Sequence, residues 1–564
     1  MSADPGAGGH PTRLRRRPGL LAVAVGVPLA ELVVLWSIGV RGDRVLVPQV
    51  TAPSPIAEYH DLRWLMLLQT SWLTLAVESA AALVLRSLIN AALVHQAWAG
   101  PGRPPFVTIW RHTAVASLVL GIFIAPWAAI AFGVDMVSVS WLSFAAIPPI
   151  ILVALASPHG PVSRRWWRQA PPWRAVGWIL LVVVETTLAG AVLAAVPPPA
   201  WVPVTAASGL FNAWAWHGVV GAVTGRAPSR HRFVPVAPAV ALGLVAVAVA
   251  GTALSFQLVT PAPVAAAAPA AGAGPPPPTR PDPPVLVVSG FDTHWDGVSD
   301  PSPLPGPFTE ERFSYRGMSS AGRPLAYTAA DTHQALRRSV RLMAAQVEAL
   351  ERRTHQTASI VAESEGELVA RLFVAAYPGV PVDHLILLSP LDQPGRVYYP
   401  VAGQQGYGFL SGYELRVLTG LLGGISPVKL PADSGFLRSI VDHAEDLRGL
   451  LSCPAGASRE ELIAPLADAM ADPSSPAGIP TVVLAAFHGG LLSDRQAQED
   501  VAAILEGERK LPVVPDLGYV ETAVRLAAAP WEVPPLPLSL FPTAGSDQPS
   551  CRTMAADIQR WMGT

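Results

Sequence analysis

Long apolar stretches separated by short polar loops fill the first 256 residues. A helix that crosses a bilayer needs about 20 apolar residues, and seven stretches reach that length. They are 19–40, 64–85, 113–134, 138–157, 175–196, 201–223 and 234–256. Since seven such stretches with so little charge between them could not all be buried in a soluble core, the pattern predicts an all-α transmembrane bundle over residues 19–256.

The pattern changes after residue 284, where short apolar runs alternate with amphipathic stretches. The runs typical of buried strands are 285–288, 360–362, 385–388 and 481–485. Apolar residues at helical spacing follow at 330–352, 367–376 and 495–506. Strands that alternate with helices predict an α/β domain over residues 285–564, with a mostly parallel sheet covered by helices on both faces.

Residues 257–284 lie between these two regions and are dominated by Pro, Ala and Gly. Pro-rich segments without a core-forming pattern behave as semi-rigid extended spacers. We therefore expect a linker that holds the α/β domain a short way from the membrane.

Charge separates the chain into the same two halves. Only 14% of the 564 residues are charged, against about 25% in soluble domains, which excludes a single water-soluble globule. Residues 1–256 hold 17 basic and 8 acidic residues, whereas residues 257–564 hold 22 basic and 33 acidic residues. The acidic second half gives no reason to expect a nucleic-acid partner, and the two halves face different surroundings.

The distribution of arginines predicts the orientation in the membrane. The basic tail at 1–18 and alternate loops hold 13 arginines, whereas the intervening loops hold only Arg41, Arg44 and Arg63. The first set is Arg13, Arg15, Arg16, Arg17, Arg103, Arg111, Arg164, Arg165, Arg168, Arg174, Arg226, Arg230 and Arg232. Cytoplasmic loops carry the excess of Arg and Lys, so the N-terminus is expected in the cytoplasm and residues 257–564 outside the cytoplasmic membrane.

Three acidic residues fall inside the predicted spans: Glu31, Glu78 and Glu185. A carboxylate in the hydrocarbon region is costly, so it marks either a structural partner or a pathway. Arg86 lies two helical turns from Glu78, and each can pair with a neighbouring span. A proton or substrate path is the alternative.

The most informative motif is Ala362-Glu363-Ser364-Glu365-Gly366. It lies between an apolar strand and an amphipathic helix, where a nucleophile elbow needs small residues two before and two after the serine. The helix N-terminus can favour negative charge beside the serine. The alternative is an ordinary strand-to-helix turn in which Ser364 caps the helix.

A nucleophilic serine needs a base and a residue that orients the base. His488 lies directly after the 481–485 strand, and Asp468 lies 20 residues earlier. If 459–467 is a strand rather than a helix, Asp468 follows its carboxyl end. Asp433, Asp472 and Asp494 are the rival acids.

Residues 285–508 resemble the α/β-hydrolase superfamily, and its serine lipase and esterase branch in particular. The resemblance rests on AESEG, on HGGLLS at 488–493 and on PLADAMADP at 465–473. It implies that Ser364 is the nucleophile, His488 the general base and acid, and Asp468 the orienting acid. It also implies an oxyanion hole formed by the backbone amides of Phe291 and Glu365. The Glu365 carboxylate would oppose that role unless its side chain turns to solvent.

Other features leave alternatives open. Residues 390–460 hold tyrosines interleaved with glycine, which suits either a lid over an apolar substrate or a satellite core. Cys453 and Cys551 form a disulfide if they meet, or are unrelated buried thiols. The stretch 292–296 (DTHWD) has only one imidazole, so we expect no metal and no organic cofactor.

The sequence therefore predicts a membrane-anchored extracytoplasmic serine hydrolase that cleaves acyl-ester or lipid-like substrates beside the bilayer. An acyltransferase that passes the acyl group to an alcohol is a variant of this reading. The alternative class is a transport or sensor protein whose α/β domain only binds a ligand. A degenerate hydrolase fold used for protein contacts is a third interpretation.

Overall fold

The computed structural model describes residues 17–98, 102–135, 160–162, 171–225, 282–298, 304–391, 398–422, 429, 431–451, 453, 456–467, 479–511, 518–532 and 551–563. The chain divides into two compact units. The first comprises Met1–Ala128, Ala146–Ala248 and Leu526–Pro534, and the second comprises Ala129–Ala145, Val249–Arg525 and Pro535–Thr564.

The first unit is helical. Its α-helices are Pro18–Ser37, Ile56–Leu68, Trp72–Ala97, Phe106–Asp135, Trp173–Ala195 and Trp201–Thr224, with 3₁₀ segments at Arg41–Gln49 and Pro198–Ala200. Among the described residues, four helices are long and apolar enough to cross a membrane: Pro18–Ser37, Trp72–Ala97, Phe106–Ala129 and Trp173–Ala195.

The predicted number of seven spans is therefore too high for the part of the chain that is described. Helix Trp201–Thr224 matches the predicted 201–223 stretch but is not among the four, because Asn212, His217 and three tryptophans lower its mean hydropathy. The predicted spans at 138–157 and 234–256 lie outside the described residues.

The predicted span at 64–85 is wrong, because the chain breaks in its middle. The helix Ile56–Leu68 ends where Gln69 becomes extended. Ser71 then begins the helix Trp72–Ala97 with a capping box, in which its hydroxyl accepts from the Thr74 amide and the Thr74 hydroxyl accepts from the Ser71 amide. A capping box satisfies the free amides of a helix N-terminus, so it stops an apolar run that hydropathy alone reads as continuous.

The second unit is built on a six-stranded, all-parallel sheet in the order β2-β1-β3-β4-β5-β6. The strands are β1 Pro284–Val288, β2 Thr309–Arg312, β3 Ser359–Glu363, β4 His384–Leu388, β5 Arg459–Ala467 and β6 Thr481–Phe487. The helices are Ala329–Thr332, Leu336–Thr354, Glu365–Ala376, Phe409–Leu422, Gly435–Asp442, Ala444–Leu451, Arg495–Leu505, Gly518–Ala528 and Cys551–Met562, with a 3₁₀ turn at Leu491–Ser493.

Alternate strand residues face opposite sides of this sheet, and each side is buried. Leu286, Ile360 and Leu385 pack with the helices Leu336–Thr354 and Glu365–Ala376 on one face. Val287, Val361 and Ile386 pack on the other face with the helix that contains Val501. The predicted parallel sheet with helices on both faces is the observed architecture of this unit.

Two strands were absent from the set of apolar runs. Strand β2 reads Thr-Glu-Glu-Arg and lies at the sheet edge, where polar residues are tolerated. Strand β5 begins with Arg459, Glu460 and Glu461, so the sequence left 459–467 open between strand and helix. The Glu460 carboxylate accepts from the buried Arg371 guanidinium at 2.6 Å, which accommodates its charge at the start of a central strand.

The insertion between β4 and β5 is helical in its described part. It holds the helices Phe409–Leu422, Gly435–Asp442 and Ala444–Leu451. Cys453, after the last of these, forms a disulfide with Cys551 at a Cα separation of 5.6 Å. The disulfide attaches the C-terminal helix to the end of the insertion.

A short C-terminal segment belongs to the helical unit rather than to the sheet unit. The carbonyl of Pro530 accepts hydrogen bonds from Gln49 Nε2 at 2.7 Å and from the Arg63 guanidinium at 2.9 Å. Trp531 is buried, stacks on Tyr59 and donates to the Thr187 hydroxyl at 2.9 Å. Backbone carbonyls and one aromatic side chain therefore fix this segment in the helical unit.

Gly190 is expected to be essential to this packing. A Cβ at residue 190 would lie 2.3 Å from Pro530 Cγ and 2.7 Å from the Val45 carbonyl, whereas a Cβ at Gly177 of the same helix meets nothing within 4 Å. Gly→Ala favours an exposed helix by about 1 kcal/mol. Thermal unfolding of the detergent-solubilised chain should show a lower Tm for Gly190→Ala and an equal or higher Tm for Gly177→Ala. Equal Tm values for the two variants would contradict the packing.

Candidate functional site

Ser364 lies at the sharp turn between β3 and the helix Glu365–Ala376. Its backbone has φ 56° and ψ −117°, a conformation that costs a non-glycine residue about 1–3 kcal/mol. The side chain makes no capping hydrogen bond to the helix. Instead, Ser364 Oγ lies 2.8 Å from His488 Nε2. The turn therefore presents the hydroxyl to an imidazole, which is not the geometry of a capping serine.

Small residues are required on both sides of this turn. A Cβ at Gly366 would lie 2.9 Å from the Val288 carbonyl, so the helix start passes directly over β1. A Cβ at Gly290 would lie 2.9 Å from Ser364 Cβ and 3.4 Å from its Oγ. The chain adds β2 on one side of β1 and then crosses back to add β3 on the other side. Open α/β sheets place their binding sites at such a reversal of strand order.

His488 follows β6, and the loop that carries it is held from the turn at Ser364. Glu363 Oε1 accepts from the backbone amides of Leu491 at 2.7 Å and Leu492 at 3.4 Å, three and four residues after the histidine. Sequence reasoning missed this role of Glu363, because the contact joins positions 128 residues apart. A buried carboxylate next to the serine thus fixes the loop that carries the histidine.

Strand β5 ends at Ala467, so Asp468 is the first residue after it. Asp468 itself and the rival Asp472 lie outside the described residues. The other two rivals have separate partners: Asp433 pairs with Arg416 at 2.7 Å, and Asp494 caps the helix Arg495–Leu505 through the Ala497 amide. Asp468 therefore stays the predicted orienting acid.

The loop after β1 carries the second predicted oxyanion amide, at Phe291. The Phe291 ring is stacked between His333, with centroids 4.5 Å apart, and Phe436, with centroids 5.1 Å apart. The backbone amide of the next residue, Asp292, donates to Thr332 Oγ1. The Asp292 Oδ1 lies 2.9 Å from His333 Nε2. The loop is thus packed from two sides beside Gly290.

Glu365 is the first residue of its helix, so its amide has no intrahelical acceptor. Its side chain does not turn to solvent: it is fully buried, and neither carboxyl oxygen has a hydrogen-bond partner among the described residues. Burial raises the pKa of Glu365 well above its usual value. In its neutral form, Glu365 has no negative charge that would oppose an oxyanion at the predicted position.

A cavity of about 550 Å³ adjoins the Phe291 loop. Its lining combines charged, hydroxyl and apolar groups. The residues are His333, Arg416, Thr419, Gly420, Lys429, Pro431, Ala432, Asp433 and Ser434. Most of them come from the insertion, and Phe436 of the insertion also packs on Phe291. The 390–460 region therefore lines a cavity that reaches the Phe291 loop through His333, and neither Ser364 nor His488 is among its lining residues.

The DTHWD stretch is used in local structure. Asp292 Oδ2 accepts from the Lys429 amide at 2.9 Å, and Asp296 Oδ1 accepts from the Val298 amide at 2.9 Å. Within the described ranges no three His, Cys, Asp or Glu side chains are grouped as they would be to hold a metal ion.

In comparisons with known proteins, no family model, no curated protein and no solved structure matches this chain. The strand order and the contact between Ser364 and His488 therefore carry the structural interpretation. The resemblance to α/β-hydrolases remains an inference from the motifs.

The buried Glu365 carboxyl predicts how stability depends on pH. An acid whose pKa is raised by folding binds a proton in the folded state that the unfolded chain has released, so stability falls as pH rises above about 4.3. Glu365→Gln, which is neutral at every pH, should flatten this decline and raise the Tm at pH 7. Glu348→Gln changes an exposed glutamate and is the matched control. Parallel pH profiles for wild type and Glu365→Gln would show that Glu365 is ionised.

Proposed function

We propose that the α/β unit is a serine hydrolase that cleaves acyl esters through an acyl-enzyme. The observation that carries the proposal is the 2.8 Å contact between Ser364 Oγ and His488 Nε2 at a strained turn. A hydroxyl within hydrogen-bond reach of an imidazole is the arrangement that activates a serine nucleophile.

In this mechanism the Ser364 hydroxyl attacks the ester carbonyl carbon, and His488 takes its proton. The amides of Phe291 and Glu365 stabilise the oxyanion of the tetrahedral intermediate. Collapse breaks the bond to the alcohol, which leaves with the proton from His488. Water then attacks the acyl-enzyme with His488 as base and releases the acid. Asp468 would hold the other ring nitrogen of the imidazole.

We further propose that the helical unit anchors this hydrolase at the outer face of the cytoplasmic membrane. Support comes from the C-terminal segment, whose Pro530 and Trp531 contact Gln49, Tyr59 and Thr187. The loop after the first predicted span holds Arg41, Arg44 and Arg63, and the arginine distribution predicts that it lies outside. A bilayer beside the site favours acyl-ester or lipid-like substrates by proximity, and the mixed lining of the cavity suits an amphipathic ester.

Labelling with a fluorophosphonate tests the chemistry directly. The full chain should be labelled and should hydrolyse short p-nitrophenyl esters. Ser364→Ala should abolish labelling and lower kcat/KM by at least about 10³-fold, since removal of a triad nucleophile costs that much or more. The matched control is Ser493→Ala, which changes an exposed hydroxyl in the loop after His488.

An unlabelled but folded wild-type chain would overturn the hydrolase and favour the alternative, a transport or sensor protein whose α/β unit only binds a ligand. Labelling without net hydrolysis, together with acyl transfer to an added alcohol, would identify an acyltransferase.

The close approach of Gly290 to the nucleophile gives a second prediction. Gly290→Ala places a methyl group 2.9 Å from Ser364 Cβ, which should displace the turn or the Phe291 amide and lower kcat by about 10²–10³-fold. Gly379→Ala is the control, because a Cβ there meets nothing within 4 Å. Steady-state ester hydrolysis measures both, and unchanged kcat in Gly290→Ala would remove the Phe291 loop from the oxyanion hole.

A further inference from the structure

Residues 41–68 form a hairpin, which we call the re-entrant segment, inside the helical unit. It comprises the 3₁₀ helix Arg41–Gln49, a turn and the helix Ile56–Leu68, and residues 45–60 are buried. At its tip the Thr51 hydroxyl donates to the Ala24 carbonyl at 3.1 Å. Ala24 precedes the end of its helix at Ser37 by 13 residues, which is roughly 20 Å at 1.5 Å per residue. Non-helical backbone at such depth occurs where protein or a polar cavity surrounds it.

Glu58 lies just after this tip and has two different oxygens. Its Oε1 accepts three hydrogen bonds, from Ser54 Oγ at 2.8 Å, Asn90 Nδ2 at 3.0 Å and Ser117 Oγ at 2.7 Å. Its Oε2 is buried and has no hydrogen-bond partner among the described residues, and the same holds for Asn90 Oδ1. Two buried acceptor oxygens, one from each side chain, therefore have no donor among the described residues.

The neighbouring charges form a connected group. His60 lies between two carboxylates, 2.9 Å from Glu31 Oε1 and 3.1 Å from Asp61 Oδ1. Both ring nitrogens of His60 face carboxylate oxygens, so each contact needs a proton. A neutral imidazole supplies only one, and a second proton is therefore shared among His60, Glu31 and Asp61. Asp61 also binds the Arg86 guanidinium with both oxygens, at 2.5 and 2.6 Å.

Within this group the negative charges outnumber the positive ones by one, and Arg86, which pairs with Asp61, also interacts electrostatically with Glu58. Glu31, Glu58 and Asp61 contribute three negative charges, and Arg86 with the extra proton on the His60 group contributes two positive ones. The helix Phe106–Asp135 contributes the uncharged Ser117 to Glu58. A buried group with an excess of negative charge is destabilised, so one further positive charge stabilises it.

We propose that Glu58 binds one monovalent cation, a proton or Na⁺, through its free Oε2. The single missing charge fits a monovalent rather than a divalent ion. Carboxylate, amide and hydroxyl oxygens at an interrupted intramembrane segment are also the chemistry that transporters use for Na⁺ and protons. The helical unit then has a cation-linked function of its own, independent of ester hydrolysis.

The test uses the full chain in detergent, with thermal unfolding followed from pH 5 to 9 in NaCl or in choline chloride at equal ionic strength. If the ligand is a proton, wild-type Tm falls as pH rises and is the same in both salts. If it is Na⁺, Tm rises saturably with Na⁺ concentration, as expected for a ligand that binds only the folded state. Glu58→Gln should abolish the Na⁺ dependence, or should remove the part of the pH dependence that Glu365→Gln leaves in place.

Glu78→Gln is the matched control. It removes another carboxylate of the helical unit, whose Oε2 accepts from Gln69 Nε2 at 2.8 Å, and should leave the dependence unchanged. If Glu58→Gln does not fold, Ser117→Ala replaces it. Loss of one donor to Oε1 destabilises the carboxylate, so the proton-dependent transition should move to higher pH or the Na⁺ midpoint should change.

The proposal is overturned if wild type and Glu58→Gln share the same pH and Na⁺ dependence, or if Ser117→Ala moves neither. Fluorophosphonate labelling of Glu58→Gln should equal that of wild type, which keeps this result separate from the hydrolase proposal.

Discussion

The strained backbone of Ser364 is the constraint on which the candidate site depends. A positive φ at a non-glycine residue persists only where the surroundings determine it. Here β3 is buried on both sides, the Ser364 amide donates to the Leu388 carbonyl at 3.0 Å, and Gly290 and Gly366 leave space for the turn. The same conformation that costs free energy lifts Oγ away from the helix amides, so that it reaches His488 instead.

The two glutamates that flank the serine have opposite environments. Glu363 is buried but accepts hydrogen bonds from the backbone amides of Leu491 and Leu492, which satisfy its Oε1. Glu365 is buried without such a partner, and the raised pKa of its carboxyl favours the neutral acid. One acid therefore positions the histidine loop, while the other is held beside the oxyanion position without opposing it. The sequence alone presents them as two equivalent charges.

The hydrophobic pattern of the sequence predicted the features that depend on residues close together in the chain. Ser364 and His488 follow apolar runs that are strands, so their places at the carboxyl edge of the sheet were readable. The contact of Glu363 with Leu491, the stacking of His333 on Phe291 and the burial of Glu365 depend on residues distant in the chain. Hydropathy failed at 64–85 because one helix ends where Gln69 is extended, and the hydrogen bonds at Ser71 begin a new helix.

The same distinction explains why the sequence pattern did not predict the buried polar group around Glu58 in the helical unit. Glu31 lies inside an apolar run that predicts a membrane span. Glu58 and Asp61 lie on a short helix that is not apolar enough to be predicted as one. An anchor needs only one apolar helix of about 20 residues. A buried hairpin that carries carboxylates into a bundle adds desolvation costs that anchoring does not require. The proposed cation site would give the helical unit a function that uses the net negative charge of the group formed by Glu31, Glu58, His60, Asp61 and Arg86.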